Sequence, residues 1–126
     1  MILLDTDIII ALLKGESNAV LKIEKFSEDK IQLCTSSINA FEILSSIGHE
    51  KISEQVLSAL KSLKILEFDF DCAQKTAEIC AHLKTSNKSE IHRVMTASSA
   101  IVNGCTLVTR ETRNYEGIPN LKIETW

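Results

Sequence analysis

Short apolar runs alternate with longer amphipathic stretches along the chain. Ile2 to Leu4 is apolar throughout and closes at Asp5, the pattern of a strand buried on both faces. Asp7 to Lys14 is apolar on most sides and is followed by Gly15, which predicts a short helix and its stop. Val20, Leu21, Ile23 and Phe26 recur at helical spacing, and Ile31 to Cys34 reads as a second strand. Thr35, Ser36 and Ser37 offer hydroxyl caps for a helix carrying Ile38, Phe41, Leu44 and Ile47, which Gly48 can interrupt. The next helix is predicted over Ile52 to Leu63, with Val56, Leu57, Leu60 and Leu63 on one face. A third strand, Ile65 to Phe68, leads into an acidic helix start at Asp69 and Asp71, suited to the positive end of the helix dipole. Ala73, Ala77, Cys80, Ala81 and Leu83 fill that helix. The last helix covers Ser89 to Asn103 and stops at Gly104. Strands follow at Cys105 to Thr109 and at Leu121 to Glu124.

Strands separated by helices imply right-handed crossovers and a parallel sheet covered on both faces. The predicted fold is therefore α/β, a three-layer α/β/α sandwich around a central, mainly parallel sheet of four or five strands. Ligands of such sheets sit beyond the carboxyl ends of the strands. At 126 residues, one domain spanning 1–126 is expected. Hydrophobic residues at 44% and charged residues at 25% exclude a long disordered tail. No apolar run approaches the roughly 18–20 residues of a membrane span. The apolar start also meets Asp5 too soon for a signal peptide, so a cytoplasmic chain without membrane association is expected.

The net charge of −3 and pI of about 5.6 differ from a domain that grips nucleic acid by overall positive charge. A nucleic-acid role then requires local positive charge, a metal ion or a partner. All three arginines, Arg93, Arg110 and Arg113, lie in the last third of the chain, which favours a local binding face. The four cysteines, Cys34, Cys72, Cys80 and Cys105, show no C-x-x-C spacing, and His49, His82 and His92 are scattered. Buried reduced thiols are expected, with no zinc site and no histidine positioned by the sequence as a general base.

Four acids stand apart from ordinary surface carboxylates. Asp5 falls where the first strand ends, with Asp7 two residues on; a helix N-cap is the structural alternative for each. Glu42 borders an apolar face beside Ile38 and Phe41, an expensive place unless it is paired, protonated or metal-bound. Glu111 lies just past the fourth strand. Carboxylates gathered at one sheet end repel by roughly 4 kcal/mol per pair at 4 Å and an effective dielectric of 20. A divalent cation relieves that repulsion, and hard oxygen donors favour Mg2+ or Mn2+, which activate water and stabilise an in-line phosphoryl displacement.

Ordered motifs carry a family resemblance. Leu3 to Gly15 (LLDTDIIIALLKG) resembles the opening of PIN domains of the VapC toxin type, where leucine-aspartate-threonine-asparagine precedes an apolar helix. Ser36 to Leu44 (SSINAFEIL) is similar to the family's second motif and contains its glutamate at Glu42. Thr96 to Arg110 (TASSAIVNGCTLVTR) resembles the alanine-rich helix, glycine stop and strand, and Gly117 to Ile123 (GIPNLKI) the closing turn and strand. The resemblance implies a metal-dependent ribonuclease acting on RNA, a homodimer, and a small antitoxin-like protein partner. It also implies Asp5, Glu42 and Glu111 as catalytic and metal-ligating residues of a four-carboxylate pocket, with Thr6, Asp7 or Thr109 orienting their oxygens.

The family's remaining carboxylate belongs four residues before Ala97, where this chain has Arg93. Three carboxylates and one guanidinium sum to −2 where four carboxylates give −4. Arg93 is therefore expected to modify the site: lying across the acids, pairing with Asp5 or Glu42, and weakening metal binding. Its stem alternatively covers Ala97 with the head in solvent. Glu90 either supplies the missing carboxylate or caps the helix with Asn87. Tyr115 either stacks on a base or packs as a lid, and Arg110 and Arg113 are candidate RNA contacts. The non-enzymatic alternative is a catalytically inactive PIN-like module that binds RNA or protein. Asp5-Thr6-Asp7 also fits a haloacid-dehalogenase loop, yet Ile9 replaces its threonine; a receiver domain expects a late lysine where Thr109-Arg110 stand.

Overall fold

The computed structural model describes every residue except His49, Lys51 and Ser86, and of Lys88 and Ser89 the backbone alone. His49, one of the scattered histidines, thus lies outside the described residues. In chain order the elements are β1 (Ile2–Leu4), α1 (Thr6–Leu13), α2 (Ser17–Glu28), β2 (Leu33–Ser36), α3 (Ser37–Ile47) and α4 (Glu54–Ser62). Then come β3 (Lys64–Leu66), α5 (Phe70–Leu83), α6 (Lys88–Val102), β4 (Thr106–Val108), a 3-10 turn (Thr112–Tyr115) and β5 (Lys122–Glu124). The strands form one five-stranded sheet in the order β3-β2-β1-β4-β5. Every pairing is parallel, with Leu3 opposite Cys34 on one side and Leu107 on the other.

Side chains alternate across the sheet, and that alternation builds two cores. Leu3 and Leu107 pack with Cys34, Ala97 and Ala100 on the face covered by α6. Ile2, Leu4 and Val108 pack with Ile8, Ile9, Ile43 and Leu60 on the face covered by α1, α3 and α4. Strands buried on both faces read as continuous apolar runs, which is why β1 was legible. Small residues let α6 approach closely: Ala97 and Ala100 are fully buried. Their flanking hydroxyls are internally satisfied, Ser98 Oγ donating to the Val94 carbonyl at 2.7 Å. Gly104 ends the α6 region with φ of 65°, a left-handed conformation that β-carbon-bearing residues disfavour.

Several boundaries differ from the sequence-based expectation. β2 starts at Leu33, because Lys30 is left-handed (φ 53°) and the Ile31 amide still bonds to the Phe26 carbonyl. It extends to Ser36, since Thr35 is a buried strand residue whose hydroxyl donates to the Leu4 carbonyl at 2.9 Å. β3 closes at Leu66 and leaves Phe68 outside, while α2 reaches beyond the predicted Val20 to Phe26. Phe41 and Leu21, expected on apolar faces, are 57% and 62% exposed. The buried face of α3 is instead set by Asn39 and Ile43, one turn apart. All four cysteines are free. Burial pushes the Cys34 thiol up to about 12, with Cys105 Sγ 3.8 Å away. Among the described residues, no helix is long and apolar enough to cross a membrane.

Leu107 is fully buried at the sheet centre and touches the α6 core. Leu107→Ala is expected to lower unfolding free energy by about 3 kcal/mol, read from urea denaturation. An unchanged urea midpoint contradicts this assignment of the core.

Candidate active site

The strand order reverses direction at β1, which continues to β2 and β3 on one side and meets β4 and β5 on the other. A crevice opens at such a switch point, outside the carboxyl ends of the strands. Asp5 directly follows β1, and Thr109 to Glu111 directly follow β4. The hollow there has a volume of about 320 Å³. Asp5, Asp7, Glu42 and Glu111 line it, with α6 supplying His92, Arg93 and Thr96 to the wall. Residues far apart in sequence thus share one acidic cavity.

Asp5 is its buried centre, with 9% exposure. It is the N-cap of α1, so the capping and site readings of this residue coincide. Oδ1 accepts from the Thr6 amide at 2.8 Å and from Asn39 Nδ2 at 3.0 Å, while Oδ2 accepts from the Tyr115 hydroxyl at 2.7 Å. Of the two oxygens Oδ2 carries fewer of these donors, since Oδ1 takes two and Oδ2 one. Burial pushes the Asp5 carboxyl above its ordinary value, the Tyr115 hydroxyl and Thr6 amide oppose that shift, and the Asp7 charge adds to it. Burial also pushes the Tyr115 hydroxyl up, with the charge of Asp5 next in effect, so it remains a proton donor.

Asn39, absent from the sequence-derived candidates, is the hub of this arrangement. It is fully buried, accepts from Ser36 Oγ at 2.5 Å and donates to both Asp5 and Thr6 Oγ1. Thr6 Oγ1 in turn donates to Glu42 Oε2 at 2.6 Å. The Ser36 hydroxyl is the N-cap of α3, accepting from the Asn39 amide at 3.1 Å. One cap therefore fixes both the helix start and the side chain that reaches Asp5. The available signal was an asparagine in phase with Ile43 on the inward face, three residues after a capping serine.

Asp7 acts as a clamp. Its Oδ2 accepts from the Arg110 amide at 2.8 Å and from Thr109 Oγ1 at 3.2 Å, tying α1 to the segment after β4. Thr109 Oγ1 also accepts from the Glu111 amide at 3.1 Å. Glu111 is exposed at the rim, and its carboxylate accepts from Asn114. His92, another residue the sequence did not mark, places Nδ1 3.7 Å from Glu42 Oε1 and packs edge-on to Phe41.

Arg93 lines the hollow, but among the described residues it has no ion pair within 4.0 Å, so the expected pairing with Asp5 or Glu42 is not made. Glu90 does not line this cavity; it lines an adjoining one and accepts from Thr85. Arg110 pairs with Glu16 at 2.7 Å, while Arg113 lines the adjoining cavity. Tyr115 is 6% exposed and bonded to Asp5, which rules out the base-stacking reading.

Among the described residues, no three His, Cys, Asp or Glu side chains stand close enough to hold a metal ion together. The donors facing the hollow are nonetheless carboxylate oxygens, the hard ligands that Mg2+ and Mn2+ take. Mg2+ binds through one or two carboxylates and keeps its waters. The site fits such an open arrangement rather than a closed protein cage.

The PIN domain family is matched over residues 2–118. The chain is 28% identical to the tRNA(fMet)-specific endonuclease VapC of Salmonella typhimurium, over 98% of this chain and 96% of that protein. It superposes on a chain of the Rickettsia felis VapBC2 structure, solved bound to a promoter DNA fragment, with a TM-score of 0.82. Identity there is 27%, covering 100% of this chain and 99% of that one. The DNA-bound VapBC of Salmonella typhimurium gives a TM-score of 0.76 at 27% identity, covering 100% and 99%.

Because the Asp5 pKa is raised in the folded state, the associated stability is fully present below the unfolded value and lost as pH rises through the folded one. Asp5→Asn keeps acceptors for Thr6 and Asn39 and turns its amide to Tyr115, whose hydroxyl can accept. The variant is expected to melt a few degrees above the parent at pH 7, where 1 kcal/mol moves Tm by roughly 4 °C. The gap should shrink as pH falls towards 4. A variant less stable than the parent across this range contradicts the burial argument.

Proposed function

The chain belongs to the PIN domain family, and we propose that it is a divalent-metal-dependent ribonuclease of the toxin–antitoxin type, a single domain over residues 1–126 that hydrolyses RNA phosphodiester bonds. The observation that carries this reading is the convergence of Asp5, Glu42 and Glu111 on one hollow at the switch point. Asp5, Glu42 and Glu111 are the proposed catalytic and metal-ligating residues, Asp5 acting through Oδ2. Mg2+ or Mn2+ is the proposed ion, supplying when bound the Lewis-acid activation of water and charge stabilisation that in-line displacement requires.

The chain's own residues hold these oxygens in place. Thr6 orients Glu42, Asn39 and Tyr115 orient Asp5, and Asp7 with Thr109 holds the segment that carries Glu111. Arg93 takes a carboxylate's place in the wall and weakens metal binding through its charge. The proposed setting is cytoplasmic, with a homodimer and an antitoxin-like protein partner. The related solved structures VapBC2 and VapBC support that partner. The exposed Phe41 and Ile65, which line one depression with Leu44 and Ile52, support a protein contact on this side. The Salmonella typhimurium relative is named as tRNA(fMet)-specific, so that tRNA is the substrate to assay first.

With Mn2+ the protein is expected to cleave RNA, and chelation by EDTA should stop it. Outer-shell changes at metal sites cost 10–100-fold, so loss of a ligand in Asp5→Asn should cost at least about 100-fold in kcat/KM. RNA bound in EDTA without turnover on Mn2+ addition assigns the chain to the binding-module alternative instead. In a separate titration, Arg93→Asp should tighten Mn2+ binding by roughly tenfold, about 1.4 kcal/mol. Equal affinities in parent and variant contradict the role given to Arg93.

A further inference from the structure

Asp5 just after β1, Asp7 on α1, Glu42 on α3 and Glu111 after β4 line the hollow, and α6 adds His92, Arg93 and Thr96 to its wall. An RNA phosphodiester is itself an anion, and a single divalent cation does not neutralise the four carboxylates of Asp5, Asp7, Glu42 and Glu111. Arg93 carries a permanent positive charge on that wall. Its guanidinium has no ion-pair partner within 4.0 Å among the described residues, although Glu90 and Glu116 lie around the adjoining cavity. Arg110, by contrast, is engaged by Glu16.

Arg93 also stands on a boundary. It and Asn114 line both the acidic hollow and the adjoining cavity of about 300 Å³, where Arg113 contributes a second guanidinium. A strand leaving the acidic hollow along this path passes Arg93 and Asn114, which line both cavities. Five donors in a planar fork match the two unesterified oxygens of a phosphodiester bidentately.

Resting on the ribonuclease reading above, we propose that Arg93 is a substrate-positioning residue that grips an RNA backbone phosphate at the mouth of the acidic hollow. The charge that weakens metal binding thus strengthens substrate binding, so one side chain moves the two affinities in opposite directions. Glu90 and Glu116 also line the adjoining cavity, and their charge opposes the grip there.

The test uses the full chain, a short single-stranded RNA, and Ca2+ in place of Mn2+, with binding followed from about 50 to 200 mM salt. Arg93→Gln is expected to weaken RNA binding roughly tenfold and to flatten the log–log salt slope by about 0.7, the loss of one phosphate contact on a single strand. Arg93→Lys should restore the slope while recovering only part of the affinity, because the charge returns without the fork. In assays at saturating Mn2+, Arg93→Gln should raise KM with little change in kcat. An unchanged slope in Arg93→Gln overturns the proposal, as does a parent chain that binds no RNA. Cleavage by the parent is scored separately: an active parent with unchanged Arg93→Gln binding removes only the phosphate grip. An inactive parent whose RNA binding still depends on Arg93 removes only the nuclease reading.

Discussion

The buried carboxylate of Asp5, held by donors from Thr6, Asn39 and Tyr115, is the constraint around which this end of the molecule is organised. Each donor comes from a different element: the start of α1, the inward face of α3 and the 3-10 turn after β4. A buried acid without donors is strongly disfavoured, so those elements must meet for Asp5 to remain inside. The parallel sheet makes the meeting possible, since β1 lies beside both β2 and β4 and all carboxyl ends point the same way. Burial still lifts the Asp5 pKa despite the donors. That residual penalty is the compromise expected if this is a functional site, where stability is given up for a poised charge.

The same network links the two other acids to the centre. Glu42 reaches Asp5 through Thr6 and Asn39, so the position of one carboxylate depends on the other. Asp7 connects to the Glu111 segment through Thr109. Networks of this kind rigidify a site when every member is satisfied. Against them stands α6, whose alanine-packed inner face brings its basic turn close to the acids. The cavity therefore combines four acids with the guanidinium of Arg93, which makes no ion pair with them within 4.0 Å.

Much of this was legible in the sequence, for identifiable reasons. Doubly buried β1 and β4 are nearly pure apolar runs, and Asp5 and Glu111 stand where those runs stop. Glu42 was marked by its place beside an apolar face, although Phe41, one of the residues defining that face, points outward. Asn39 was hidden because a buried amide has no periodic signature of its own; only its phase with Ile43 gave it away. Tyr115 lies 110 positions from Asp5, a contact that no local pattern encodes. His92 was passed over because a helical histidine beside an arginine reads as ordinary surface. The extent of β2 is not legible in the sequence because Thr35 and Ser36 are buried polar strand residues, satisfied by the Leu4 carbonyl and by Asn39.

The central claim is that these acids form one cation-binding hollow with Arg93 in its wall. A crystal grown with Mn2+ and measured at the manganese absorption edge addresses it directly. An anomalous peak at about 2.1 Å from Asp5 Oδ2, with Glu42 or Glu111 in its coordination shell or one water away, is the predicted result. Ordered density for Asp5, Glu42 and Glu111 with no anomalous peak between them at saturating Mn2+ contradicts the account.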